Sequence, residues 1–301
     1  MSDTVPNSPR LSIIVILYNS ERHVADCLRS VDVEAQLIVV DNASQDKSAE
    51  IVRTQFPEVL FFQNQANLGL SKAVNQALER AVAPYALLLN PDCTAKPGAI
   101  GKLLAFMDAH PEAAGCGPKL LFPDGRVQPS CARALTLWAI FCEQFLLEKI
   151  GNFGGYWRKG TELDSTFQTE QLMGAALLMR RDKNGHFLRM DESYFLYCED
   201  TDLCDRLWKE VGPLYYVHDA VFVHALGGSG EGDRGAMIAH YNRGKTLFIG
   251  QRYGPAAAAL CRLLNLCGAS LRLLVWSLLA VATLGRFRNQ VRIFWRALRL
   301  S

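Results

Sequence analysis

Hydrophobic and polar positions follow two alternating patterns over the first 120 residues. Continuous apolar runs, typical of strands buried on both faces, occupy residues 11–18, 37–40, 59–62 and 85–89. Apolar residues at helical spacing separate these runs and predict helices at residues 21–31, 46–56, 70–83 and 97–110. Strands that alternate with helices in this way predict an α/β fold, with a mostly parallel sheet between two layers of helices.

The pattern becomes less regular after residue 120. It predicts a helix, a strand, a second helix and a second strand at residues 135–150, 171–179, 200–211 and 214–223. A glycine-rich stretch, residues 227–235, follows His224 and is interpreted as a mobile loop that closes over a ligand. The polar residues 1–10 are interpreted as a flexible tail without a signal peptide.

Charge is distributed unevenly along the chain, although the formal net charge of its 301 residues is only +2. Residues 1–233 contain 21 basic and 30 acidic side chains, a net charge of −9, whereas residues 234–301 contain 11 basic and no acidic ones. The near-neutral total argues against a protein that binds mainly nucleic acid. The division separates an acidic body from a basic, apolar C-terminal region.

The C-terminal region combines apolar runs with arginines. Arg262 and Arg272 interrupt the apolar residues 255–285, and the longest uncharged run, 13 residues, is shorter than the roughly 20 needed to span a bilayer. Helical spacing then places an apolar stripe and a basic stripe on different sides: Phe287, Val291, Phe294 and Leu298, and Arg288, Arg292, Arg296 and Arg299. Because neither stripe has an acidic partner, we expect a helix on an anionic membrane surface; the alternative is a helical hairpin packed on protein.

The cysteines bear on the location of the protein. All nine are scattered, mostly among apolar residues, and no two have the spacing of a zinc or redox motif. This use of cysteine is typical of reduced thiols in the cytosol. With the C-terminal region, it predicts a cytoplasmic protein held peripherally at the inner face of the cell membrane, while the oligomeric state, including a homo-oligomer, stays open.

Polar residues stand where three of the predicted strands end: Tyr18-Asn19, Asp41-Asn42 and Asn90-Pro91-Asp92. Ligands of open parallel sheets bind beyond the carboxyl ends of the strands, so these residues are candidates for a ligand or metal site. Turn and helix-cap chemistry explains single Asp and Asn residues equally well.

An acidic cluster, Glu199-Asp200-Thr201-Asp202, follows the aromatic run at residues 194–197. Acidic side chains at a helix start stabilise the helix dipole, which accounts for one or two of them. An aromatic neighbour also raises the pKa of a carboxyl group, as a general base requires. His224, at a predicted strand end, fits a metal ligand, a surface residue or a core residue.

Together these segments resemble glycosyltransferase family 2, in particular its rhamnosyltransferase-like branch of bacterial cell-surface polysaccharide synthesis. The resemblance covers roughly residues 11–250 and rests on ordered motifs: Tyr18-Asn19, Val40-Asp41-Asn42-Ala43-Ser44, Asn67-Leu68-Gly69, Asn75, Leu89-Asn90-Pro91-Asp92, Gly174-Ala175, Tyr197-Cys198-Glu199-Asp200-Thr201-Asp202-Leu203 and His224. It implies the GT-A fold of nucleotide-diphospho-sugar transferases and an inverting, single-displacement reaction.

The resemblance and the charge division together predict three regions. Residues 1–10 form the tail, residues 11–235 form a GT-A catalytic domain, and residues 236–301 form a helical, membrane-associating region. Within the catalytic domain, residues 11–120 are implied to bind the nucleotide sugar and residues 121–235 the acceptor.

The resemblance also assigns roles to single residues. The nucleotide-sugar site is implied to contain Tyr18, Asn19, Asp41, Asn42, Asn67, Gly69, Asn90 and Asp92. Asp200 is implied to be the catalytic base, with Glu199 as the alternative. Asp92 and His224 are implied to hold Mg²⁺ or Mn²⁺, while Asn90 stands where the family's metal-binding motif has its first carboxylate.

The implied reaction moves a sugar from a nucleotide diphosphate donor to a hydroxyl of a saccharide or lipid-linked saccharide acceptor. L-rhamnose from dTDP-rhamnose is the first choice of donor, and a UDP-linked hexose or galactofuranose stays open. A catalytically silent nucleotide-sugar-binding subunit of a membrane polysaccharide assembly also stays open. A nucleotidyltransferase is disfavoured, because no glycine-rich basic loop follows the first predicted strand.

Overall fold

A computed structural model describes residues 9–149, 155–225 and 233–301. Most of the predicted flexible tail, residues 1–10, and most of the predicted closing loop, residues 227–235, lie outside the described residues. The chain forms two compact units. The sheet unit is formed within residues 1–132, 157–195 and 200–229, and the helical unit within residues 133–156, 196–199 and 230–301.

We number the helices and strands in chain order. The first part of the chain forms β1 (Leu11–Leu17), α1 (Val24–Arg29), β2 (Gln36–Asp41), α2 (Ser48–Gln55), β3 (Leu60–Gln63), α3 (Leu70–Leu78), β4 (Tyr85–Leu89), β5 (Cys93–Ala95), α4 (Ala99–Ala109), β6 (Gly115–Leu121), β7 (Val127–Gln128), β8 (Cys131–Ala132) and α5 (Leu137–Gln144). The second part forms β9 (Phe167–Thr169), β10 (Gln171–Leu172), β11 (Ala176–Arg180), α6 (Glu199–Glu210), β12 (Leu214–His224), α7 (Arg234–Tyr253), α8 (Pro255–Ala282) and α9 (Arg288–Leu300).

The main sheet of the described residues has ten strands. Its order is β3-β2-β1-β4-β11-β6-β12-β5, with β7 beside β6 and β9 beside β12. β1 pairs in parallel with β2 and β4, β2 with β3, and β6 with β12, whereas β11 is antiparallel to β4 and β6. The predicted α/β fold is therefore confirmed, and β11 brings its first residues to the carboxyl end of β4.

β1 illustrates why an uninterrupted apolar run forms a central strand. Ile13 and Val15 pack in one apolar cluster with residues of α1, α2 and α4. Ile14, on the opposite face, packs in a second cluster with residues of α3 and α6. A strand covered on both faces has no polar side to present, so its sequence does not alternate.

The predicted strand at residues 171–179 is wrong as a single element. β10 and β11 are separate, and β10 pairs with β8 in a small second sheet. Gly174, between them, lies so close to Asp200 that a Cβ on Gly174 would be 3.2 Å from the Cβ of Asp200. The break brings the chain against the start of α6, a tertiary contact that apolar periodicity does not report.

The helical unit contains one helix that is longer than the sequence analysis anticipated. α8 has 28 residues and, by length and composition, is long and apolar enough to cross a membrane. The expectation that this region is too short is therefore wrong, because two arginines interrupt the uncharged run without interrupting the helix. Within its 18-residue apolar window, 22% of the residues are buried, so most of this apolar surface lacks cover within the described chain.

Arg272 in α8 has a structural partner in the same unit. Its guanidinium donates to the carbonyl oxygens of Glu143 and Gln144, each at 2.7 Å, at the end of α5. The last carbonyls of a helix have no partner within the helix, and a cation there also favours the helix dipole. This contact explains the presence of Arg272 in a mostly apolar helix.

α9 has the two predicted stripes, but it packs on protein. Its four apolar stripe residues are half-buried and its four stripe arginines are exposed. The ring of Phe287 lies 5.1 Å from that of Trp276 in α8, and Arg296 Nε lies 2.5 Å from Asp233 Oδ2. The expectation that the basic stripe has no acidic partner is wrong, because Asp233, the N-cap of α7, is brought beside it.

Candidate active site

The loops after β1 and β2 are joined by hydrogen bonds. The backbone N–H of Asn19 donates to Ser44 Oγ at 2.9 Å, and Asn19 Oδ1 accepts from the backbone N–H of Gln45 at 2.8 Å. Asn19 and Ala43 both have left-handed backbones, with φ of 53° and 67°. Tyr18 is 39% exposed beside this junction. The predicted residues Tyr18 and Asn19 thus lie at the carboxyl end of the two central parallel strands, as expected.

Asp41 is the last residue of β2 and is fully buried. Its Oδ2 accepts from the backbone N–H of Ser44 at 3.2 Å and from Gln63 Nε2 at 3.1 Å. Within the described residues, Oδ1 is buried and has no hydrogen-bond donor. An unsatisfied buried carboxylate oxygen costs about 1–3 kcal/mol or more, so this atom is suited to accept from a ligand N–H or O–H group.

Asn42 organises the segment that leads into α3. Its Nδ2 donates to Asn67 Oδ1 at 2.9 Å and to the carbonyl oxygen of Gly69 at 3.3 Å. Its Oδ1 accepts from the backbone N–H of Leu68 at 3.0 Å and from Asn64 Nδ2 at 3.1 Å. These four bonds use every donor and acceptor of the amide. Asn42 therefore shapes the segment with Asn67 and Gly69.

Both the backbone conformation at residue 69 and the small space around its Cα require a glycine there. Its φ is 86°, in the region that favours glycine. A Cβ at Gly69 would lie 2.9 Å from Cδ2 and 3.0 Å from the carbonyl oxygen of Phe195. Phe195, whose carbonyl accepts from Leu70, is 49% exposed. The segment is thus closed by an aromatic residue of the run 194–197, to which the sequence analysis gave no role in the nucleotide-sugar site.

Asp92, which follows the end of β4, and His224, the last residue of β12, form a buried pair. Asp92 Oδ1 lies 3.3 Å from His224 Nε2, and both residues are less than a tenth exposed. On the other side of the ring, Nδ1 of His224 lies 3.3 Å from Gln128 Oε1. The predicted pair is therefore together in space, and β7 contributes a third side chain, Gln128.

This arrangement fits a divalent cation. An imidazole that donates from Nδ1 to Gln128 presents an unprotonated Nε2, whose lone pair then faces the carboxylate of Asp92. A cation bound by both groups would remove that repulsion. The described residues contain no cluster of three or more His, Cys, Asp or Glu side chains able to hold a metal. Mg²⁺ and Mn²⁺ sites in nucleotide enzymes need only one or two protein ligands, because phosphate oxygens supply others.

Asn90 and Asp200 are joined through the two residues before β11. The backbone N–H of Asn90 donates to the carbonyl oxygen of Ala175 at 2.9 Å. The backbone N–H of Gly174 donates to Asp200 Oδ2 at 3.0 Å. Because Asn90 precedes Asp92 by two residues, the start of α6 is tied by main-chain contacts to the loop that carries Asp92.

Burial raises the pKa of Asp200, although hydrogen bonds from the backbone N–H groups of Gly174 and Thr201 oppose that rise. Thr201 Oγ1 in turn accepts from Gln171 Nε2 at 2.8 Å. The carboxylate therefore has a fixed position and an environment that favours its protonated form. Both properties suit a general base.

Glu199 begins α6 and belongs to the helical unit, where it is buried. The preceding residues, Tyr197 and Cys198, have left-handed backbones, with φ of 69° and 68°. Burial, and then the nearby Glu199 carboxylate, raise the pKa of Tyr197. The two members of the predicted acidic pair thus have different surroundings.

Two supporting residues, Gln63 and Gln128, carried no signal in the sequence, and a third, Gly174, appeared only within a motif and without a role. Gln63 holds Asp41, Gln128 orients His224, and Gly174 holds Asp200. Glutamine is common in loops and on strand surfaces, so neither Gln63 nor Gln128 differs from a solvent-exposed residue by type or spacing. Only the pairing of strands distant in the chain brings them to the site.

Comparison with known proteins identifies relatives over most of the chain. Residues 12–157 match the family model described as glycosyl transferase family 2. An N-acetylglucosaminyl-diphospho-decaprenol L-rhamnosyltransferase of Mycobacterium tuberculosis is 27% identical over 278 residues, which cover 84% of this chain and 86% of that protein.

Solved structures share the fold at low sequence identity. S. aureus TarS 1-349, solved also with UDP, aligns with a TM-score of 0.53 and 18% identity, over 80% of this chain and 66% of that chain. The mannosyltransferase PcManGT from Pyrobaculum calidifontis, in complex with GDP-Man and Mn²⁺, aligns with a TM-score of 0.56 and 14% identity, over 98% of this chain and 86% of that chain. This chain spans about two thirds of the TarS chain and most of the mannosyltransferase.

Proposed function

We propose that this chain, a glycosyltransferase of family 2 with the GT-A fold, transfers L-rhamnose from dTDP-rhamnose to a lipid-linked saccharide with inversion at the anomeric carbon. The observation that carries the proposal is that Asp41 and the Asp92–His224 pair lie at the edge of the sheet where the parallel strands β2, β4 and β12 end, and that Asp200 is held by Gly174 beside the end of β4. A UDP-linked hexose or galactofuranose is the alternative donor.

The identity of the sugar and acceptor rests on the mycobacterial relative. Its name specifies an L-rhamnosyl donor and a saccharide carried on a diphospho-decaprenol lipid. The similarity extends over 84% of this chain and 86% of the mycobacterial protein. An acceptor of the same class, a saccharide on a lipid diphosphate, is therefore the proposal for this chain.

Asp41 is proposed to recognise the base of the donor nucleotide. Thymine and uracil carry an imide N–H, which matches the buried and unsatisfied Oδ1 of Asp41. Tyr18 and Asn19 lie beside the same strand end, and Asn67 and Gly69 close the neighbouring segment. Asn42 is proposed to position this segment rather than to contact the nucleotide, since its amide is fully used.

Asp92 and His224 are the residues that would hold a divalent cation, with Gln128 fixing the histidine ring. Such a cation, when bound, neutralises charge on the leaving diphosphate. Asn90 contributes its backbone to the position of this loop, and its side-chain amide is a neutral neighbour for the donor.

Asp200 is proposed to accept the proton of the acceptor hydroxyl, with Glu199 as the alternative. As the acceptor oxygen bonds to the anomeric carbon, the bond from that carbon to the diphosphate oxygen breaks. The proton moves to the Asp200 carboxylate, which the backbone N–H groups of Gly174 and Thr201 hold in place. A positioned base of this kind contributes roughly 10²- to 10⁴-fold to the rate.

The C-terminal helices are proposed to bind the inner surface of the cell membrane, where a lipid-linked acceptor resides. α8 carries exposed apolar residues that fall within an arc of about 160° at helical spacing: Leu260, Leu263, Leu271, Leu274, Val275, Leu278, Leu279 and Val281. Arg262 and Arg272 lie outside that arc. An apolar face combined with 11 basic and no acidic residues in 234–301 suits an anionic lipid surface.

A donor screen tests the proposed reaction. The full chain is incubated with Mn²⁺ and, separately, dTDP-rhamnose, UDP-glucose, UDP-N-acetylglucosamine and UDP-galactofuranose, with a polyprenyl-diphosphate-linked N-acetylglucosamine as acceptor. We expect a rhamnosyl product from dTDP-rhamnose only. Transfer from a different donor would replace the donor assignment, and donor binding without any transfer would support a silent binding subunit instead.

A further inference from the structure

The turn before α6 has an unfavourable backbone. Tyr197 and Cys198 are consecutive non-glycine residues with φ of 69° and 68°. This left-handed region is sparsely populated by residues with a Cβ, and such conformations persist only where the surroundings hold them. The next residue, Glu199, begins α6, and Asp200 follows it. What holds this turn therefore determines how α6 begins.

Gly244 of α7 packs directly on the turn. A Cβ added at Gly244 would lie 2.5 Å from the carbonyl oxygen of Tyr197 and 3.1 Å from both Cβ and Sγ of Cys198. Cys198 is buried, and its Sγ lies 4.0 Å from the carbonyl oxygen of Tyr241. Only a glycine permits so close an approach of a helix backbone to this turn.

Tyr241, three residues before Gly244 and on the same face of α7, contacts the turn through its ring. Its ring meets the ring of Tyr197 edge to face, with the centroids 6.1 Å apart. On the same helix face, Lys245 Nζ lies 4.4 Å from the centroid of the Tyr241 ring. Lys245 is fully buried and lies 3.1 Å from Glu143 Oε2, which fixes this face of α7 to α5.

We infer that Gly244 and Tyr241 are positioning residues: α7 holds the Tyr197–Cys198 turn and thereby sets the position of the acidic pair that begins α6. The inference rests on the proposed role of Asp200 or Glu199 as base. Neither Gly244 nor Tyr241 has a place in the nucleotide, metal or base roles described above. Their effect is transmitted through the backbone of residues 197–199.

Gly244→Ala tests the inference in the full-length chain. The added methyl group must displace the turn, so we expect kcat to fall by about 10²-fold, as for a misplacement of catalytic groups by 1 Å. The dissociation constant of the donor nucleotide and the KM for the donor should stay at wild-type values. The acid limb of the pH profile should move to lower pH, because a displaced carboxylate loses the burial that raises its pKa.

Gly101→Ala is the matched control, since Gly101 is also a helical glycine and nothing lies within 4 Å of an added Cβ. It should keep wild-type kcat and pH profile. If Gly244→Ala loses donor binding together with kcat, that variant is misfolded and the decision passes to Tyr241→Ala. Wild-type kcat in Gly244→Ala would overturn the positioning role.

Tyr241→Ala decides the question if Gly244→Ala does not fold, because it removes a ring contact without adding volume. Reduced kcat with unchanged donor binding supports the inference, and wild-type kcat contradicts it. Tyr253→Ala, at the exposed end of α7, is its control.

Asp200→Asn and Glu199→Gln separate this inference from the proposed function. If either is inactive while Gly244→Ala and Tyr241→Ala are fully active, only the positioning role fails; if both acidic variants are fully active, the proposed base fails first.

Discussion

Nε2 of His224 lies 3.3 Å from Oδ1 of Asp92, at the edge of the sheet where β4 and β12 end. The pair joins residues 132 positions apart in the chain, and it is held from behind by Gln128. An acidic oxygen and an imidazole nitrogen at this separation form a hydrogen bond when Nε2 carries the proton, and can share a cation when it does not. The pair is therefore the most direct place to test the role of metal.

Gln128→Leu should weaken the metal site without removing a ligand. Loss of the hydrogen bond to Nδ1 frees the imidazole ring to rotate and exchange tautomers, and outer-shell changes of this kind cost about 10- to 100-fold in metal affinity. Calorimetric titration of Mn²⁺ in the presence of dTDP measures the effect. Gln168→Leu, which removes an exposed hydrogen bond to Tyr215, is the control. Donor affinity that is identical with and without EDTA in the wild-type chain would contradict a metal site at Asp92 and His224.

Asp41→Asn should reduce affinity for a thymidine or uridine nucleotide. In the variant, the amide oxygen is needed to accept from Ser44 and Gln63, so the amide nitrogen takes the place of Oδ1. This nitrogen and the imide N–H of the base, both hydrogen-bond donors, would then face each other. A buried mismatch of about 1–3 kcal/mol corresponds to roughly 5- to 150-fold in the dissociation constant. Fluorescence or calorimetric binding of dTDP checks this. The exposed Asp108→Asn should bind normally, and normal binding by Asp41→Asn would remove the base-recognition role.

The rate of transfer should increase with pH through a pKa higher than the ordinary aspartate value of about 3.9. Burial raises the pKa of Asp200, and only the ionised carboxylate accepts the proton of the acceptor, so protonation at low pH removes activity. A folded-state pKa above the unfolded value also means that the contribution of Asp200 to folding stability declines as pH rises. A pH profile of kcat/KM measures the acid limb. An acid limb at the ordinary value would contradict a buried base.

Asp200→Asn should lower kcat by about 10²- to 10⁴-fold while donor binding is retained. The amide keeps the shape and one acceptor of the carboxylate but cannot take a proton. Asp205→Asn, farther along α6, is the control and should be fully active. Loss of activity in Glu199→Gln together with full activity in Asp200→Asn would transfer the role to Glu199.

Replacing Leu274 and Leu278 together by glutamate should release the chain from vesicles that contain anionic lipid. Both side chains lie on the exposed apolar face of α8, and burying a leucine in lipid is worth about 1.5–3 kcal/mol. Cosedimentation with phosphatidylglycerol-containing and purely phosphatidylcholine vesicles provides the measurement. Val82→Glu, an exposed apolar residue of the sheet unit, should bind as the wild type does. Unchanged binding with loss of a dimer in size-exclusion chromatography would identify this face as a contact between copies of the chain.

The sequence predicted the elements whose signal is local. β4 was predicted at residues 85–89 and lies there, because an apolar run between turn residues is sufficient for a buried strand. The split between β10 and β11 was not predicted, since it depends on the approach of Gly174 to Asp200. Arg272 of α8 was interpreted as an interruption of the apolar run, whereas its partners are carbonyl groups at the end of α5, about 128 residues earlier in the chain.

The candidate site residues divide in the same way, into those with a local signal in the sequence and those without one. Asp41, Asp92, His224 and Asp200 stand at strand or helix ends, where sequence pattern and family resemblance both select them. Gln63 and Gln128 hold Asp41 and His224, but only contacts between strands that are distant in the chain bring them there. The residues proposed for chemistry were therefore easier to select than the residues that hold them.

The contact between Arg272 and the end of α5 has a consequence for the synthesis of the protein. α5 acquires this partner only after about 128 further residues have been added, which takes roughly 6 to 26 s at ribosomal rates of about 5–20 residues per second. During that interval, neither the apolar surface of α5 nor its last carbonyl groups can be covered by α8. The helical unit of a nascent chain is therefore completed only when the last quarter of the chain has been made. We expect shortened chains that end before α8 to be bound by chaperones or degraded by proteases.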